Sequence, residues 1–99
     1  MNRRRRSQII AIVDALECFQ PIPGAATLDG FADQVDAIRQ AELDAFDNLP
    51  EAIQTSDKGE VMENAIEALQ TVSRELRCFR PGTDSLQAIA DDLAAVAAP

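Results

Sequence analysis

The chain has 99 residues, of which 9 are basic and 17 acidic, and it contains no histidine, tryptophan or tyrosine. A chain of this length forms one domain with one thin core, and 46% hydrophobic residues is typical of a globular protein rather than a disordered one. No apolar run approaches the roughly 20 residues of a membrane span, and Asp14 and Glu17 interrupt the apolar stretch that a secretory signal would need. We therefore expect a cytoplasmic protein without a membrane segment.

The first predicted helix has apolar residues at alternating spacings of three and four positions, which places them on one face. These residues are Ile9, Ile12, Leu16 and Phe19. Pro21 and Pro23 end the helix, because proline lacks the amide hydrogen that a continuing helix donates.

A second helix is predicted to begin at Thr27, whose hydroxyl can cap it, and to run to Asp47. Its inward stripe consists of Leu28, Phe31, Val35, Ile38 and Ala45. Pro50 then suits the first position of a short helical turn that ends at Gln54.

The third predicted helix begins at Ser56 or Asp57, a choice that the sequence leaves open, and ends before Pro81. Two sets of apolar residues recur in it every seven positions, as in a coiled-coil seam. They are Met62, Leu69 and Leu76, and Ala65, Val72 and Phe79. A fourth helix begins at Thr83 or Asp84, and its inward residues are Leu86, Ile89, Leu93 and Val96.

Short connections make consecutive helices antiparallel neighbours. We therefore predict an all-α fold, a small bundle of four amphipathic helices with a central antiparallel helical hairpin over residues 28–79. Residues 1–6 are expected to form a flexible basic segment before the first helix, because positive charge at a helix N-terminus opposes the helix dipole.

The hairpin turn carries a sequence motif, Asn48-Leu49-Pro50-Glu51-Ala52-Ile53-Gln54, followed by Ser56-Asp57-Lys58. It resembles a family of small, acidic, helical proteins of bacteriophages and prophages, whose members combine an Asn-(Leu/Ile)-Pro-Glu-x-(Leu/Ile)-Gln turn with a Ser-(Glu/Asp)-(Lys/Arg) helix start. The resemblance covers roughly residues 28–77 and implies phage origin more firmly than it implies an activity. The chain departs from the family pattern at Pro21 to Gly24, where relatives have one longer helix, and in its added segment after Pro81.

Residues suited to catalysis or metal binding are not evident. The usual base for a Ser, Thr or Cys nucleophile is histidine, and none is present. Without histidine, Cys18 and Cys78 are expected to be small buried hydrophobic residues rather than metal ligands. We expect no enzyme activity, no metal and no cofactor.

The arginines at positions 3–6 contrast with the rest of the chain, which without them has 5 basic and 17 acidic residues, a charge of −12. Three interpretations stay open: a solvated segment, a contact with acidic groups of the same chain or of a second subunit, and a contact with nucleic acid. Phosphate binding by four arginines is salt-sensitive and is opposed by the acidic body. Direct nucleic-acid binding is therefore not expected.

Glu42 stands on the apolar seam of the second helix, seven residues after Val35 and fourteen after Leu28. A charge in this position is costly unless it is bonded. We predict that Glu42 accepts hydrogen bonds from backbone amides near Thr55 to Lys58, at the start of the next long helix. The alternative is a buried polar contact with a partner protein.

Eight acidic residues are predicted to lie on outer faces of the hairpin and to form a partner-binding surface. They are Asp29, Asp33, Asp36, Asp44, Asp47, Glu60, Glu63 and Glu67. Such a surface suits a host protein with a basic groove, as in the inhibitors and DNA mimics that phages use against CRISPR-type defences. The alternative function is a homodimeric helical assembly or regulatory module in phage biology.

Overall fold

The computed structural model describes residues 3–17, 24–80 and 84–97. They form five helices, α1 (Arg3–Glu17), α2 (Ala25–Asp47), α3 (Glu51–Gln54), α4 (Asp57–Arg77) and α5 (Leu86–Ala97), and these described ranges contain no strand. The molecule is elongated, with extents of 47 × 21 × 19 Å. The predicted all-α class is confirmed, and the third and fourth predicted helices correspond to α4 and α5.

The long helices pack as two pairs. α2 lies along α4 in the most extensive contact, and α1 lies along α5. Arg77 at the end of α4 contacts Asp33 near the beginning of α2, and Gln87 near the beginning of α5 contacts Glu17 at the end of α1. Both pairs are therefore antiparallel, which confirms the predicted central hairpin. α5 also contacts α4, whereas α1 and α2 share few contacts.

The core consists of aliphatic side chains from all four long helices, because the periodic apolar positions of each helix face the others. Its fully buried members include Ile9, Val35, Leu69 and Leu93. Met62 and Ile66 are buried nearer the hairpin turn and lie outside this cluster. None of the described helices is long and apolar enough to cross a membrane.

Helix boundaries differ from the predictions at two starts. α2 begins at Ala25 after Gly24, so Thr27 lies inside the helix and does not cap it. At α5 the cap is Ser85, whose hydroxyl accepts a hydrogen bond from the Ala88 amide at 3.3 Å; Asp84 instead accepts one from the Arg80 amide at 2.9 Å. Proximity to a helix does not make a polar residue its cap, since only the residue directly before the first turn reaches the free amides.

Five residues named in the helix predictions lie outside the described residues. They are Phe19, Pro21, Pro23, Pro81 and Thr83.

The hairpin turn is closed by contacts among α2, α3 and α4. Pro50 precedes α3. The Gln54 side chain donates a hydrogen bond from Nε2 to the Phe46 carbonyl at 2.9 Å, and this carbonyl also accepts one from the Leu49 amide at 3.0 Å, so the contact joins α3 to the end of α2. Gly59 in the first turn of α4 lies directly against the end of α3, where a Cβ would overlap the Gln54 carbonyl and approach the Ile53 carbonyl oxygen to 2.7 Å. The turn therefore requires glycine at position 59.

We expect Gly59→Ala to lower the free energy of unfolding by about 1–3 kcal/mol, because the added methyl group displaces backbone rather than a flexible side chain. The matched control is Gly30→Ala in α2, where a Cβ meets nothing within 4 Å. That change should raise stability by up to about 1 kcal/mol through helix propensity. Urea unfolding followed by circular dichroism measures both; equal effects of the two substitutions would contradict the close approach.

Candidate interaction surface

Five acidic residues of α2 lie outside its stripe of buried residues. Buried Leu28, Ala32 and Val35 define the inner side, and a residue near half a turn away points outward. The outer stripe consists of Asp29, Asp33, Asp36, Asp44 and Asp47. All of them are exposed except Asp36, which is half-buried. The stripe follows most of the length of α2.

A second stripe follows α4 on the same side of the hairpin. Glu63, Glu67, Gln70, Arg74 and Arg77 follow one another at spacings of four and three residues, which is one face of a helix. The last of them, Arg77, places Nη2 at 2.7 Å from Asp33 Oδ1 and 2.6 Å from Asp36 Oδ2 of α2. The two stripes therefore flank the seam between α2 and α4.

Arg77 changes the electrostatics of one end of this surface. Burial acts to raise the pKa of Asp36, but hydrogen bonds from Ser73 and Arg77, with the charges of Arg77 and Arg39, lower it below its ordinary value. Conversely, Asp33 and Asp36 raise the pKa of the Arg77 guanidinium. Asp33 and Asp36 have cations beside them, so this end presents a weaker negative field than its number of carboxylates indicates.

The opposite end, at the hairpin turn, is strongly acidic. Between residues 43 and 70 there are seven acidic residues and one basic residue, Lys58. All seven acids are exposed. We call this set the acidic tip; it consists of Asp44, Asp47, Glu51, Asp57, Glu60, Glu63 and Glu67. Five of the eight predicted surface acids lie in the acidic tip, and Asp29, Asp33 and Asp36 lie at the end near Arg77.

Glu42 is fully buried, with 0% of its surface exposed. Its Oε2 atom accepts a hydrogen bond from Arg5 Nε of α1 at 2.7 Å, and the Arg5 side chain is itself only 16% exposed. The prediction that Glu42 binds the amides near Thr55 is therefore wrong. Side chains on a helix tilt toward its N-terminus, so Glu42 points away from the turn at the C-terminal end of α2 and toward α1.

The arginines at positions 3–6 are the first residues of α1 rather than a loose segment before it. The first turn of α1 contains no acidic residue, so the helix dipole is opposed by four positive charges. The buried carboxylate of Glu42 offsets part of that repulsion. Of the three interpretations of the arginines, the structure supports a contact within the same chain for Arg5.

A sequence signal for the ion pair was available but was missed. Arg5 is four residues before Ile9 and therefore belongs to the inward stripe of α1, just as Glu42 belongs to the inward stripe of α2. Opposite charges on the inward stripes of two helices favour a buried ion pair. The roles of Ser73 and Arg77 left no comparable signal, because they depend on the register between α2 and α4.

Cys78 is exposed, which corrects the expectation that both cysteines are buried, and Cys18 lies outside the described residues. Among residues 3–17, 24–80 and 84–97, no group of three His, Cys, Asp or Glu side chains could hold a metal ion. No family model, curated protein or solved structure matches the chain.

Proposed function

We propose that this chain is a non-enzymatic accessory protein of a phage or prophage that acts in the host cytoplasm. It binds a host protein, such as an effector of a CRISPR-type defence, and occupies the basic surface on which that protein holds nucleic acid. The observation that carries the proposal is the acidic tip, with seven exposed carboxylates and one lysine. The phage-like turn motif supports the assignment of origin.

The geometry of the acidic tip suits a groove built for a phosphate backbone. Asp44 and Asp47 are about 4.5 Å apart along the axis of α2, given a rise of about 1.5 Å per residue. One DNA strand presents a phosphate about every 3.4 Å. The glutamates of α4 form a second row beside the first. Two rows of charge at this spacing attract a basic groove over a distance of about one Debye length, roughly 8–10 Å.

The position of the tip also favours access by a partner. The contact between Arg5 and Glu42 sets the level of the α1 N-terminus on α2, and α2 continues for five residues beyond Glu42 before the turn. The N-terminal end of the described α1 therefore lies short of the turn along the bundle axis. The acidic tip extends beyond this end of α1. Asp33 and Asp36 contribute less to binding in this proposal, because they already have the Arg77 guanidinium at hydrogen-bond distance.

Charge reversal at the acidic tip tests the proposal after a pull-down from host lysate has identified the bound protein. We expect Asp47→Lys with Glu63→Lys to slow association by about tenfold or more and to leave the circular dichroism spectrum unchanged. Binding of the original chain should weaken steeply with salt, and the chain should displace nucleic acid from its partner.

The matched control is Asp14→Lys with Asp91→Lys, the same change of charge on exposed residues of α1 and α5. We expect it to alter association by less than about threefold, because it lies outside the two stripes. Equal effects of the two pairs, or a partner that keeps its nucleic acid when the chain binds, would exclude the proposed mode of action.

A homodimeric helical module is the second candidate function. The observation that favours it is the open side of the bundle between α1 and α2, where few contacts join the two helices. Direct binding of nucleic acid is not proposed, because Arg5 is bonded to Glu42 and the chain without the arginines at positions 3–6 has a charge of −12.

A further inference from the structure

The side of the bundle formed by α1 and α2 contains a groove of about 560 Å³. Its lining includes the buried Ile12 and Ile38 and three alanines that are exposed or half-buried, Ala11 on α1 and Ala37 and Ala41 on α2. Small residues allow another helix to approach closely, at the short end of the 8–10 Å range of interhelical distances. The groove is therefore a surface that accepts a helix.

The two edges of this groove carry opposite charges at the same height, that is, at the same position along the helix axes. Arg5 is level with Glu42, and α1 runs antiparallel to α2, so Arg4 is one residue nearer the turn and stands level with Leu43 or Asp44. Arg4 lines the groove and lies seven residues before Ala11 on the same face of α1. Asp44 lies seven residues after Ala37 and continues the alanine line of α2. One edge is basic and the other acidic.

We propose that a second copy of this chain docks on the α1–α2 side, with a two-fold axis parallel to the helices. Rotation by half a turn about that axis keeps every residue at its height and exchanges the two edges. α1 of each copy then lies on α2 of the other, and Arg4 faces Asp44 of the partner subunit. The same pair forms twice, as an isologous interface requires.

The charged side chains of Arg4 and Asp44 are suited to such a contact. Both residues are exposed. Asp44 accepts a hydrogen bond from Gln40 of its own helix through Oδ1 at 2.9 Å, and its second oxygen can accept another. Arg4 can donate to both oxygens of a carboxylate. The contact also places the basic edge against an acid and leaves Asp47 and the glutamates of α4 outside the interface.

The area of the α1–α2 side indicates how strongly two copies associate. α1 is about 22 Å long, given a rise of about 1.5 Å per residue, and two adjacent helices are about 20 Å wide. The footprint is thus on the order of 400 Å² per copy, below the roughly 800 Å² of a standard stable interface. The dimer is therefore weak, and it dissociates on dilution and at high salt because the ion pairs are exposed. It does not depend on the proposed inhibitory function.

Sedimentation equilibrium of the full chain tests the inference, from about 1 μM to about 1 mM protein and at about 0.05 M and 0.5 M salt. We expect a monomer–dimer equilibrium whose dissociation constant rises with salt. Arg4→Glu and Asp44→Arg should each raise that constant by about tenfold or more, and the double variant should restore it, because the reversed charges again face each other. Ala37→Arg should abolish the dimer, because its long charged side chain occupies the place of the approaching helix.

Arg80→Glu is the matched control, with the same change of charge three residues after the end of α4 and an expected shift of less than about threefold. Circular dichroism verifies that each variant is folded. A chain that stays monomeric up to about 1 mM, a dimer insensitive to Ala37→Arg, or failure of the double variant to restore association would each overturn the inference. Arg4→Glu and Ala37→Arg leave the acidic tip unchanged, so loss of the dimer with host binding intact in these variants would leave the proposed function standing.

Discussion

Glu42→Ala is expected to lower the free energy of unfolding by about 3–5 kcal/mol, because it removes one partner of a buried ion pair and leaves the other charge in the interior. Arg5 is only 16% exposed and Glu42 is fully buried, so neither group regains water without a movement of α1. Urea unfolding monitored by circular dichroism measures the loss. A loss below about 1 kcal/mol would show that α1 detaches at little cost or that the pair is not buried in solution.

Two further variants distinguish the loss of a charge from the loss of packing. Glu42→Gln keeps the shape and an acceptor for the Arg5 guanidinium, so its loss should be smaller than that of alanine but still measurable. Replacing both partners, as Arg5→Met with Glu42→Leu, should be neutral or stabilising by about 1–4 kcal/mol, because well-packed apolar groups of similar size avoid the desolvation of two charges. A double variant as unstable as Glu42→Ala would contradict this account.

Leu69→Ala is expected to lower the free energy of unfolding by about 2–5 kcal/mol, because it leaves a cavity where the helices of the bundle meet. Leu69 is fully buried and belongs to the main core cluster. The loss contains the transfer free energy of the removed methyl groups and the cost of a cavity that rigid neighbouring helices fill only in part. The midpoint of urea unfolding should fall while the slope of the transition stays constant.

Val61→Ala on the same helix is the matched control. Val61 is 63% exposed, so removal of its methyl groups should alter stability by no more than about 0.5 kcal/mol. If the two substitutions had similar effects, α4 would not face the core through Leu69, and the pairing of α2 with α4 would be in question. The comparison therefore tests the orientation of α4 as well as the size of the core.

The helices and their inner faces could be predicted because they depend on local order along the chain. Apolar residues three and four positions apart face the same way on a helix, which places Ile9, Ile12 and Leu16 inward, and all three are buried. Pro50 separates the two halves of the hairpin, as its missing amide hydrogen requires. Helix starts were predicted less well, since Gly24 and Ser85 rather than Thr27 and Asp84 precede the first turns.

The candidate surface was predicted only in part. Exposure of Asp44, Glu60 and Glu63 follows from helical periodicity and needs no knowledge of neighbouring helices. The neutralisation of Asp33 and Asp36 by Arg77 joins residues more than 40 positions apart along the chain. This neutralisation depends on the register of α2 against α4. It separates the acids near Arg77 from the acidic tip, a difference that composition alone does not reveal.

The sequence by itself determined the helical class, the hairpin and the excess of exposed carboxylates, because these depend on composition and on periods of a few residues. Tertiary structure decided which charges meet. Arg5 reaches Glu42 because α1 lies antiparallel to α2 at one particular height, and Gly59 is required because α4 begins directly against the end of α3. Such contacts depend on the packing of whole helices against one another, and many alternative registers satisfy the same local pattern until the core selects one.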